Sequence, residues 1–287
     1  MAIYRSSAPL EIADPSVSLQ QLRTGDGPHI LLANGFLSQS VSGWNKWQRL
    51  VTDRYPGQPV TRVRWEAQAL ESLKPLVGFW DTQGDPNKVI DEAARQVSKA
   101  AKQASNIFKH VGEQASKGVS IQDALKGAPR PDTPAAGIIL EAPAKWIVAK
   151  QRATETGIAL ADAIANAEDK KFCLLGFSLG GRVMATAART LAERGITDKL
   201  VDVHLIGAAI NRNDNWEPML AAVENGVWNY YSRNDSVLNY LYRTAEVGGV
   251  AFGLAGMGID NPKAHDVDVS MIVSGHRKYL DNIVLEK

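Results

Sequence analysis

The feature that most constrains the fold of this chain is a Gly-x-Ser-x-Gly pentapeptide at residues 176–180, directly after an apolar run of strand length. A helical pattern follows at once, over residues 182–194. Gly176 and Gly180 lack a Cβ atom, so strand and helix can approach closely while the hydroxyl of Ser178 stands above the sheet. The N-terminus of the helix directs its free N–H groups toward the serine. The sequence therefore predicts a nucleophile elbow, with a plain packing turn as the alternative.

Composition and charge limit the classes of protein to consider. The length of 287 residues allows one large domain over residues 1–287, which we expect, and two domains stay possible. The chain is 45% hydrophobic and 22% charged, an ordinary globular composition, and its formal net charge of +1 predicts no nucleic-acid partner. Cys173 is the single cysteine, so no disulfide can form within the chain. Residues 1–10 lack a signal-peptide pattern, and no apolar run reaches the ~18 residues of a membrane helix. We expect a soluble, cytoplasmic protein, and export without a signal peptide stays open.

Strand-like and helix-like segments alternate along most of the chain. Residues 29–33 are a continuous apolar run, typical of a strand buried on both faces. Such alternation predicts a mostly parallel, doubly wound sheet with helices on both faces, and an elbow on that sheet predicts the α/β-hydrolase fold. Further strands are predicted at 3–7, 17–23, 59–65, 172–177, 200–206, 227–232 and 267–269, and helices at 43–54, 143–168, 214–224 and from 277.

Residues 66–142 interrupt this alternation and are predicted to be a helical insertion. Small and apolar residues recur there at steps of four and three between residues 90 and 115, which predicts a helix with one narrow apolar seam. Residues 127–134 contain three prolines and are predicted to be a loop. We expect the insertion to cover the mouth of the active site as a lid that shapes an apolar acyl pocket. The alternative is that the seam packs against the sheet or a second subunit.

A serine nucleophile needs a base, and the base needs an orienting acid. In this fold the acid and then the histidine follow the serine along the chain, each in a loop after a strand. His276 and His265 lie downstream of plausible acids, and His276 is favoured because it follows a strand and precedes a helix. Asp235 is favoured as the acid because it lies just past a strand end, where a carboxylate can fix the imidazole tautomer. The other acid candidates are Asp214, Asp260, Asp266 and Asp268.

The tetrahedral intermediate of acyl transfer needs backbone N–H donors. One donor is predicted to be the N–H of Leu179, directly after the serine. The other is predicted in the turn at residues 34–37, where Gly35 permits a close approach and Phe36 or Leu37 donates. An ordinary glycine turn is the alternative for this segment. No Cys/His cluster has metal spacing and no phosphate loop is present, so neither metal nor cofactor is expected.

Several motifs together resemble a known family. They are GFSLG at 176–180, SRNDSVL at 232–238 and VDVSMIVSGH at 267–276, with weaker likeness at residues 34–37. The chain resembles the transmembrane-and-coiled-coil-domain 4 family, domain-of-unknown-function family 726, over about residues 172–280. The resemblance implies an α/β-hydrolase fold with a lipase-type triad of Ser178, Asp235 and His276. Many members of that family carry membrane-spanning helices, whereas this sequence shows none, and the resemblance does not identify a substrate.

Two functions follow from these observations. The first is a serine hydrolase, a lipase-like esterase that cleaves small-molecule or lipid carboxylic esters through an acyl-enzyme. The second is a catalytically weak hydrolase fold that serves as an interaction or trafficking module through its helical insertion. A peptidase or acyltransferase activity is a more distant alternative. Peripheral contact with a membrane and oligomerisation through the insertion both stay open.

Overall fold

Seven strands form one sheet in a computed structural model that describes residues 10–35, 43–65, 117, 134–168, 170–243, 246 and 248–286, with the backbone alone at 43, 134–144, 240 and 241. Their order across the sheet is β1-β3-β2-β4-β5-β6-β7. β1 is antiparallel to β3, and the other neighbouring pairs are parallel. The strands are β1 (Val17–Arg23), β2 (His29–Ala33), β3 (Val60–Trp65), β4 (Phe172–Phe177), β5 (Leu200–Ile206), β6 (Val223–Tyr231) and β7 (Ala264–Asp268).

Helices connect these strands on both sides of the sheet. They are α1 (Gly43–Arg54), α2 (Pro134–Asn166), α3 (Leu179–Glu193), α4 (Phe252–Ala255) and α5 (Tyr279–Asn282), with 3₁₀ turns at Glu217–Ala222 and His276–Lys278 and a π-helical segment at Val237–Tyr242. None of the helices within the described ranges is long and apolar enough to cross a bilayer. The mostly parallel sheet, with an elbow between β4 and α3, is the α/β-hydrolase fold.

Alternate residues of each central strand enter two separate cores. Leu31 and Leu174 pack with the core that contains α2 and α3, whereas Ile30 and Leu175 pack with the core that contains α1 and α5. Successive side chains of a strand point to opposite faces, so a strand covered on both faces is apolar at every position. That physical rule explains why residues 29–33 were recognisable as a buried strand.

The helices α2 and α3 approach each other unusually closely. A Cβ atom at Gly157 would lie 2.6 Å from the Cβ atom of Thr186 and 2.6 Å from the carbonyl oxygen of Val183. The neighbouring α2 residues Ala153 and Ala161 are fully buried. Small residues on this face of α2 therefore let α3 lie tightly against it, which fixes the position of the helix that follows the elbow.

The predicted elements agree with the structure in the sheet and differ at several boundaries. The segments 29–33, 43–54 and 200–206 have the predicted bounds. The predicted start of a helix at 143 is wrong, because α2 begins at Pro134, where a missing N–H costs nothing in the first turn, and takes in part of the predicted loop and insertion. The predicted helix at 214–224 is also wrong beyond a short 3₁₀ turn, since Val223 pairs with Leu200 and starts β6.

Two further boundaries differ. The predicted strand at 267–269 is Ala264–Asp268, and the helix predicted from 277 is a 3₁₀ turn followed by α5. Apart from Lys117 and the backbone from 134 onward, the predicted insertion lies outside the described residues, so the lid stays a prediction. The same applies to the strand predicted at 3–7.

Candidate active site

Ser178 lies at the turn between β4 and α3 in a strained backbone conformation. Its φ and ψ angles are 58° and −122°, and no other non-glycine residue in the described ranges has a positive φ. Three backbone hydrogen bonds hold it: its N–H donates to Ile206 (2.9 Å), and its carbonyl oxygen accepts from Gly181 (3.0 Å) and Ala209 (3.1 Å). Strain of this kind costs on the order of 1–3 kcal/mol and persists only where the surroundings impose it. The elbow therefore presents one side chain in a fixed direction.

The hydroxyl of Ser178 is not used to cap the helix that begins beside it. Ser178 occupies the N-cap position of α3, where a serine oxygen normally accepts from the N–H groups of the first turn, yet it makes no such bond. The glycines around it allow the tight turn. A Cβ atom at Gly181 would lie 2.7 Å from the Cβ atom of Ala208, and one at Gly180 would overlap the backbone of Ala33. The hydroxyl is thus left for another partner.

That partner is His276, which joins Ser178 to Asp235. The His276 Nε2 and Ser178 Oγ atoms are 2.9 Å apart, and the His276 Nδ1 and Asp235 Oδ2 atoms are 2.6 Å apart. A carboxylate only accepts hydrogen bonds, so Nδ1 carries the proton and Nε2 accepts from the serine hydroxyl. Ser178, His276 and Asp235 are 3%, 2% and 0% exposed. The structure brings together the three residues that the sequence singled out.

The loops after β6 and β7 hold the acid and the histidine in register. The Asp235 Oδ1 atom accepts from the Leu238 N–H at 2.9 Å, which leaves Oδ2 for the imidazole. The Ser232 hydroxyl donates to the Val273 carbonyl oxygen at 2.7 Å, and the Asn234 amide donates to the Ser270 carbonyl oxygen at 2.8 Å. The two loops are therefore joined on both sides of the Asp235–His276 contact.

Two aromatic residues surround the imidazole. The rings of Phe177 and His276 have centroids 5.0 Å apart at an interplanar angle of 30°. Tyr279 meets His276 edge-on at 6.3 Å, and its hydroxyl donates to the Gly253 carbonyl oxygen at 2.8 Å. Burial and then the Asp235 carboxylate raise the pKa of Tyr279 well above its usual value, so its phenol stays protonated. Both side chains limit the rotation of the imidazole and shield it from water.

The opposite side of Ser178 faces the segment after β2. A Cβ atom at Gly35 would lie 2.6 Å from the Ser178 Cβ atom and 3.0 Å from its Oγ atom. The preceding Asn34 receives two indole N–H groups: Trp47 donates to its side-chain oxygen, and Trp65 donates to its carbonyl oxygen at 3.0 Å. Gly35 therefore lies against the serine, and Asn34 before it is held by α1 and β3.

The predicted oxyanion donors are only partly described. Leu179 is the first residue of α3, so its N–H has no acceptor one turn earlier in the helix. Phe36 and Leu37 lie outside the described residues, and their predicted role is untested. Gly35, the second residue of the predicted turn, lies beside the elbow.

The alternative residues lie in other surroundings. The ring of His265 stacks on Trp228 with centroids 5.0 Å apart. The Asp266 carboxylate accepts from the backbone N–H groups of Met257 and Gly258 and from the side chain of Asn229, and Asp268 accepts from Ser270 and pairs with Arg233. Asp214 and Asp260 are exposed. None of these five side chains has a hydrogen bond to Ser178, Asp235 or His276 within the described contacts.

The sequence did not point to Tyr279, Trp47 or Trp65 as parts of the site, and it placed Asn34 in the predicted oxyanion turn without a role as an acceptor for indole N–H groups. Trp47 and Trp65 could have been found from the sequence, because they lie in apolar elements and a buried indole N–H usually has an acceptor nearby. Asn34, as a polar residue directly after a buried strand, was the nearest acceptor in the sequence.

The chain is similar to several longer proteins. It is 32% identical over 137 residues to an uncharacterized membrane protein of Schizosaccharomyces pombe, and 34% identical over 141 residues to a transmembrane and coiled-coil domain-containing protein of Oryza sativa subsp. japonica. Each match covers 47% of this chain, but 24% and 21% of the relatives, so the chain spans less than a quarter of their length. A probable lipase of Saccharomyces cerevisiae is 29% identical over 147 residues, which cover 50% of this chain and 13% of the lipase.

Two solved structures and one family model also match the chain. A dienelactone hydrolase from Anabaena variabilis ATCC 29413 gives a TM-score of 0.36 at 12% identity, covering 96% of this chain and 87% of that protein. A dienelactone hydrolase-like promiscuous phosphotriesterase from metagenomic libraries gives 0.35 at 9% identity, covering 88% and 82%. The model of the protein of unknown function family DUF726 matches residues 135–285, which is more than half of the chain, and the chain therefore belongs to that family.

Proposed function

We propose that this protein is a serine hydrolase that cleaves carboxylic esters through an acyl-enzyme, with Ser178 as nucleophile, His276 as base and Asp235 as orienting acid. The single observation that carries the proposal is the chain of two hydrogen bonds, 2.9 and 2.6 Å long, from a strained elbow serine through an imidazole to a buried carboxylate. This combination of geometry and roles is how such triads are recognised in unrelated sequences.

The acylation step follows from the proton positions. The Ser178 Oγ atom attacks the ester carbonyl carbon while its proton passes to His276 Nε2, and the Asp235 carboxylate stabilises the imidazolium that forms. The negative charge on the carbonyl oxygen is stabilised by the Leu179 N–H and by a donor from the turn after β2. The imidazolium then gives its proton to the leaving alkoxide as the ester C–O bond breaks, which releases the alcohol.

The deacylation step uses the same residues in reverse. A water molecule loses a proton to His276 Nε2 as its oxygen attacks the acyl carbon. Collapse of the second tetrahedral intermediate breaks the bond to Ser178 Oγ, which recovers the proton from His276. The products are the free carboxylic acid and the original enzyme, so no further reactant is required. The similarity to a probable lipase supports lipid esters as the substrate class.

Labelling with a fluorophosphonate probe tests the proposal directly. The purified chain of residues 1–287 is expected to form a covalent adduct, and Ser178→Ala is expected to form none, since the probe reacts only with an activated serine. Ser274→Ala is the matched control, because Ser274 is an exposed serine two residues before His276. This control should label at the rate of the unaltered protein.

The alternative function predicts a different result. A hydrolase fold retained as an interaction or trafficking module does not need an activated serine, so it would react with the probe no faster than Ser178→Ala does. Equal labelling of the unaltered protein and Ser178→Ala would therefore overturn the proposed chemistry. An adduct mapped by mass spectrometry to a different serine would overturn the assignment of the nucleophile.

A further inference from the structure

An exposed apolar tip lies in the loop that leads to His276. Met271 is 97% exposed and Ile272 is 54% exposed, whereas the flanking Val269 and Val273 are buried. Large apolar side chains lie mostly in the core, and a contiguous exposed apolar patch marks an interaction site, whereas single exposed ones are common. We call residues 269–275 the docking loop.

The docking loop is held firmly in its outward position. The N–H groups of Ile272 and Val273 both donate to the Val269 carbonyl oxygen, at 3.0 and 2.8 Å, which closes a tight turn. The loop after β6 binds it from the side, with the Arg233 N–H donating to the Ser270 hydroxyl at 3.0 Å and the Ser232 hydroxyl donating to Val273. Met271 and Ile272 are therefore carried on an ordered turn.

Cations dominate the charged side chains around this tip. Arg233, Arg277 and Lys278 are exposed, and the neighbouring helix α5 carries Asp281 paired with Lys46. Asp268 pairs with Arg233 at 3.2 Å. Among the residues that the structure describes, the charged side chains from 268 to 281, with the ion-pair partners Arg233 and Lys46, are four cationic and two anionic. An apolar tip within a net positive rim is complementary to a membrane with anionic headgroups, where apolar side chains enter the boundary and cations meet phosphates.

The position of the tip relates it to the candidate active site. β4 and β7 run parallel to the other central strands, so the loops that follow them lie at the same edge of the sheet. Ser178 follows β4, and the docking loop follows β7 and ends directly before His276. A surface bound at Met271 and Ile272 would therefore lie against the edge of the sheet that carries the site.

We propose that Met271 and Ile272 insert into an anionic lipid surface and seat the site-bearing edge of the sheet on it. Binding to the surface does not depend on catalysis. Only its consequence, that docking presents lipid esters to Ser178, rests on the proposed function. The partner is thus a bilayer with anionic headgroups, recognised by an apolar tip and a cationic rim.

Vesicle flotation of the chain of residues 1–287 tests this inference. The protein is expected to float with vesicles that contain about one third phosphatidylglycerol and to float less with pure phosphatidylcholine or at high salt. The double variant Met271→Ser/Ile272→Ser should lose at least about tenfold in vesicle affinity, because both apolar side chains leave the interface. Val284→Ser is the matched control, since it removes another apolar side chain that is 66% exposed, and it should bind normally.

Further measurements separate this inference from the proposed function. Ser178→Ala should float normally, and the double variant should hydrolyse a soluble p-nitrophenyl ester at the unaltered rate. If the unaltered protein floats with vesicles but does not hydrolyse the ester, the proposed function is overturned and docking is not. Unchanged flotation of the double variant, or no flotation of the unaltered protein, would overturn the docking. Sedimentation velocity without lipid tests a second copy as the partner. If the unaltered protein self-associates and the double variant does not, the tip binds another copy of the chain and the membrane docking is overturned.

Discussion

Asp235 illustrates how the residues of the candidate site share their hydrogen bonds. One carboxylate oxygen accepts from the backbone of Leu238 and the other from His276, so each oxygen has a separate task. The first bond fixes the carboxylate, and the second fixes the proton on Nδ1 of the imidazole. The tautomer of His276 therefore depends on whether the atom of residue 235 that faces Nδ1 accepts or donates a hydrogen bond, as well as on the shape of that side chain.

Replacement of Asp235 by asparagine should change the tautomer while it preserves the shape. An amide nitrogen facing Nδ1 would donate to it, which moves the proton to Nε2 and leaves Ser178 without a base. We expect kcat for a p-nitrophenyl ester to fall by about 10⁴, with the thermal midpoint close to that of the unaltered protein. Asp266→Asn serves as the control and should keep its turnover. A kcat within tenfold of the unaltered value for Asp235→Asn would contradict the assignment.

Gly35 should tolerate no side chain because of its distance to the serine. In Gly35→Ala the new methyl group would lie 2.6 Å from the Ser178 Cβ atom, so either the turn or the serine must move. A displacement of about 1 Å at a reacting atom can lower turnover by about a hundredfold. We expect kcat/KM for a soluble ester to fall by about a hundredfold. A circular dichroism spectrum of the same variant verifies that it folds. Normal turnover in a folded Gly35→Ala protein would show that the turn does not press on the nucleophile.

The sequence pointed to Ser178, Asp235 and His276 because chain order and a position after a strand select these residues as candidates. Such information is local, and a single chain contains it. The contacts of Asn34 with Trp47 and Trp65 could not be predicted, because they depend on how α1 and β3 pack around the end of β2. Tyr279 was missed for the same reason, since its role depends on a carbonyl group 26 residues away.

At the scale of elements, α1 connects the two sides of the candidate site. Trp47 on this helix contacts Asn34 before the turn, while Arg49 donates to the carbonyl oxygens of Leu280 and Ile283 at 3.1 and 2.8 Å. The C-terminal segment that follows His276 is therefore attached to the same helix as the turn next to Ser178. A shift of α1 would move both sides together.

Substitution of Trp47 by phenylalanine should separate packing from hydrogen bonding in α1. The ring still fills the core, but the Asn34 side chain loses a buried donor, which costs about 1–3 kcal/mol of unfolding free energy. We expect kcat for a soluble ester to fall as well, because the turn beside Ser178 loses its anchor. Trp216→Phe is the comparison, since it removes an indole bond to the Asn211 carbonyl oxygen. Trp216→Phe should lower the free energy of unfolding without lowering kcat. If both variants lower kcat equally, the special role of Trp47 beside Ser178 is contradicted.

Element boundaries were less predictable than the elements themselves. Pro143 marked a helix start in the sequence, yet α2 continues through it from Pro134. Residues 223–226 have weak strand character alone, and their pairing with β5 decides the start of β6. Both differences arise because tertiary contacts override local propensity at the ends of elements.

The whole molecule contains a buried polar network on the α1 side of the sheet. The Tyr230 hydroxyl accepts from the Glu286 N–H at 2.7 Å and donates to His204 Nδ1 at 3.0 Å. The His204 Nε2–H group then donates to the Tyr55 hydroxyl at 2.7 Å, and Tyr55 donates to Asp202 at 2.9 Å. In this series of hydrogen bonds, each N–H or O–H group has its own acceptor only if His204 is neutral.

Neutral His204 should make the fold sensitive to acid. Burial lowers the pKa of His204 to about 3, below the value of about 6.5 in an unfolded chain. The unfolded state binds more protons between these values, so stability is present above about pH 6.5 and is lost as the pH falls, by up to about 1.4 kcal/mol per pH unit. We expect the urea-unfolding free energy of His204→Gln to be lower at pH 7 but to fall less between pH 7 and 5. Identical slopes for both proteins would contradict this account.

The fold class was predictable from the whole sequence because alternating strands and helices and one elbow are properties of the pattern. The network around His204 was not predictable, since a lone histidine inside an apolar strand gives no indication of its partners. The predicted lid at 66–142 stays a prediction. Its apolar seam can be buried against several surfaces, and periodicity alone does not select one of them.

The burial of Cys173 has a practical consequence. This residue lies on β4, the middle strand of the sheet, five positions before Ser178, and burial raises the pKa of its thiol to about 12. A thiol reagent can reach it only in molecules whose central strand has become exposed, and the chain contains no second cysteine to confuse the signal. The rate of alkylation therefore reports how often the strand that carries the nucleophile elbow opens.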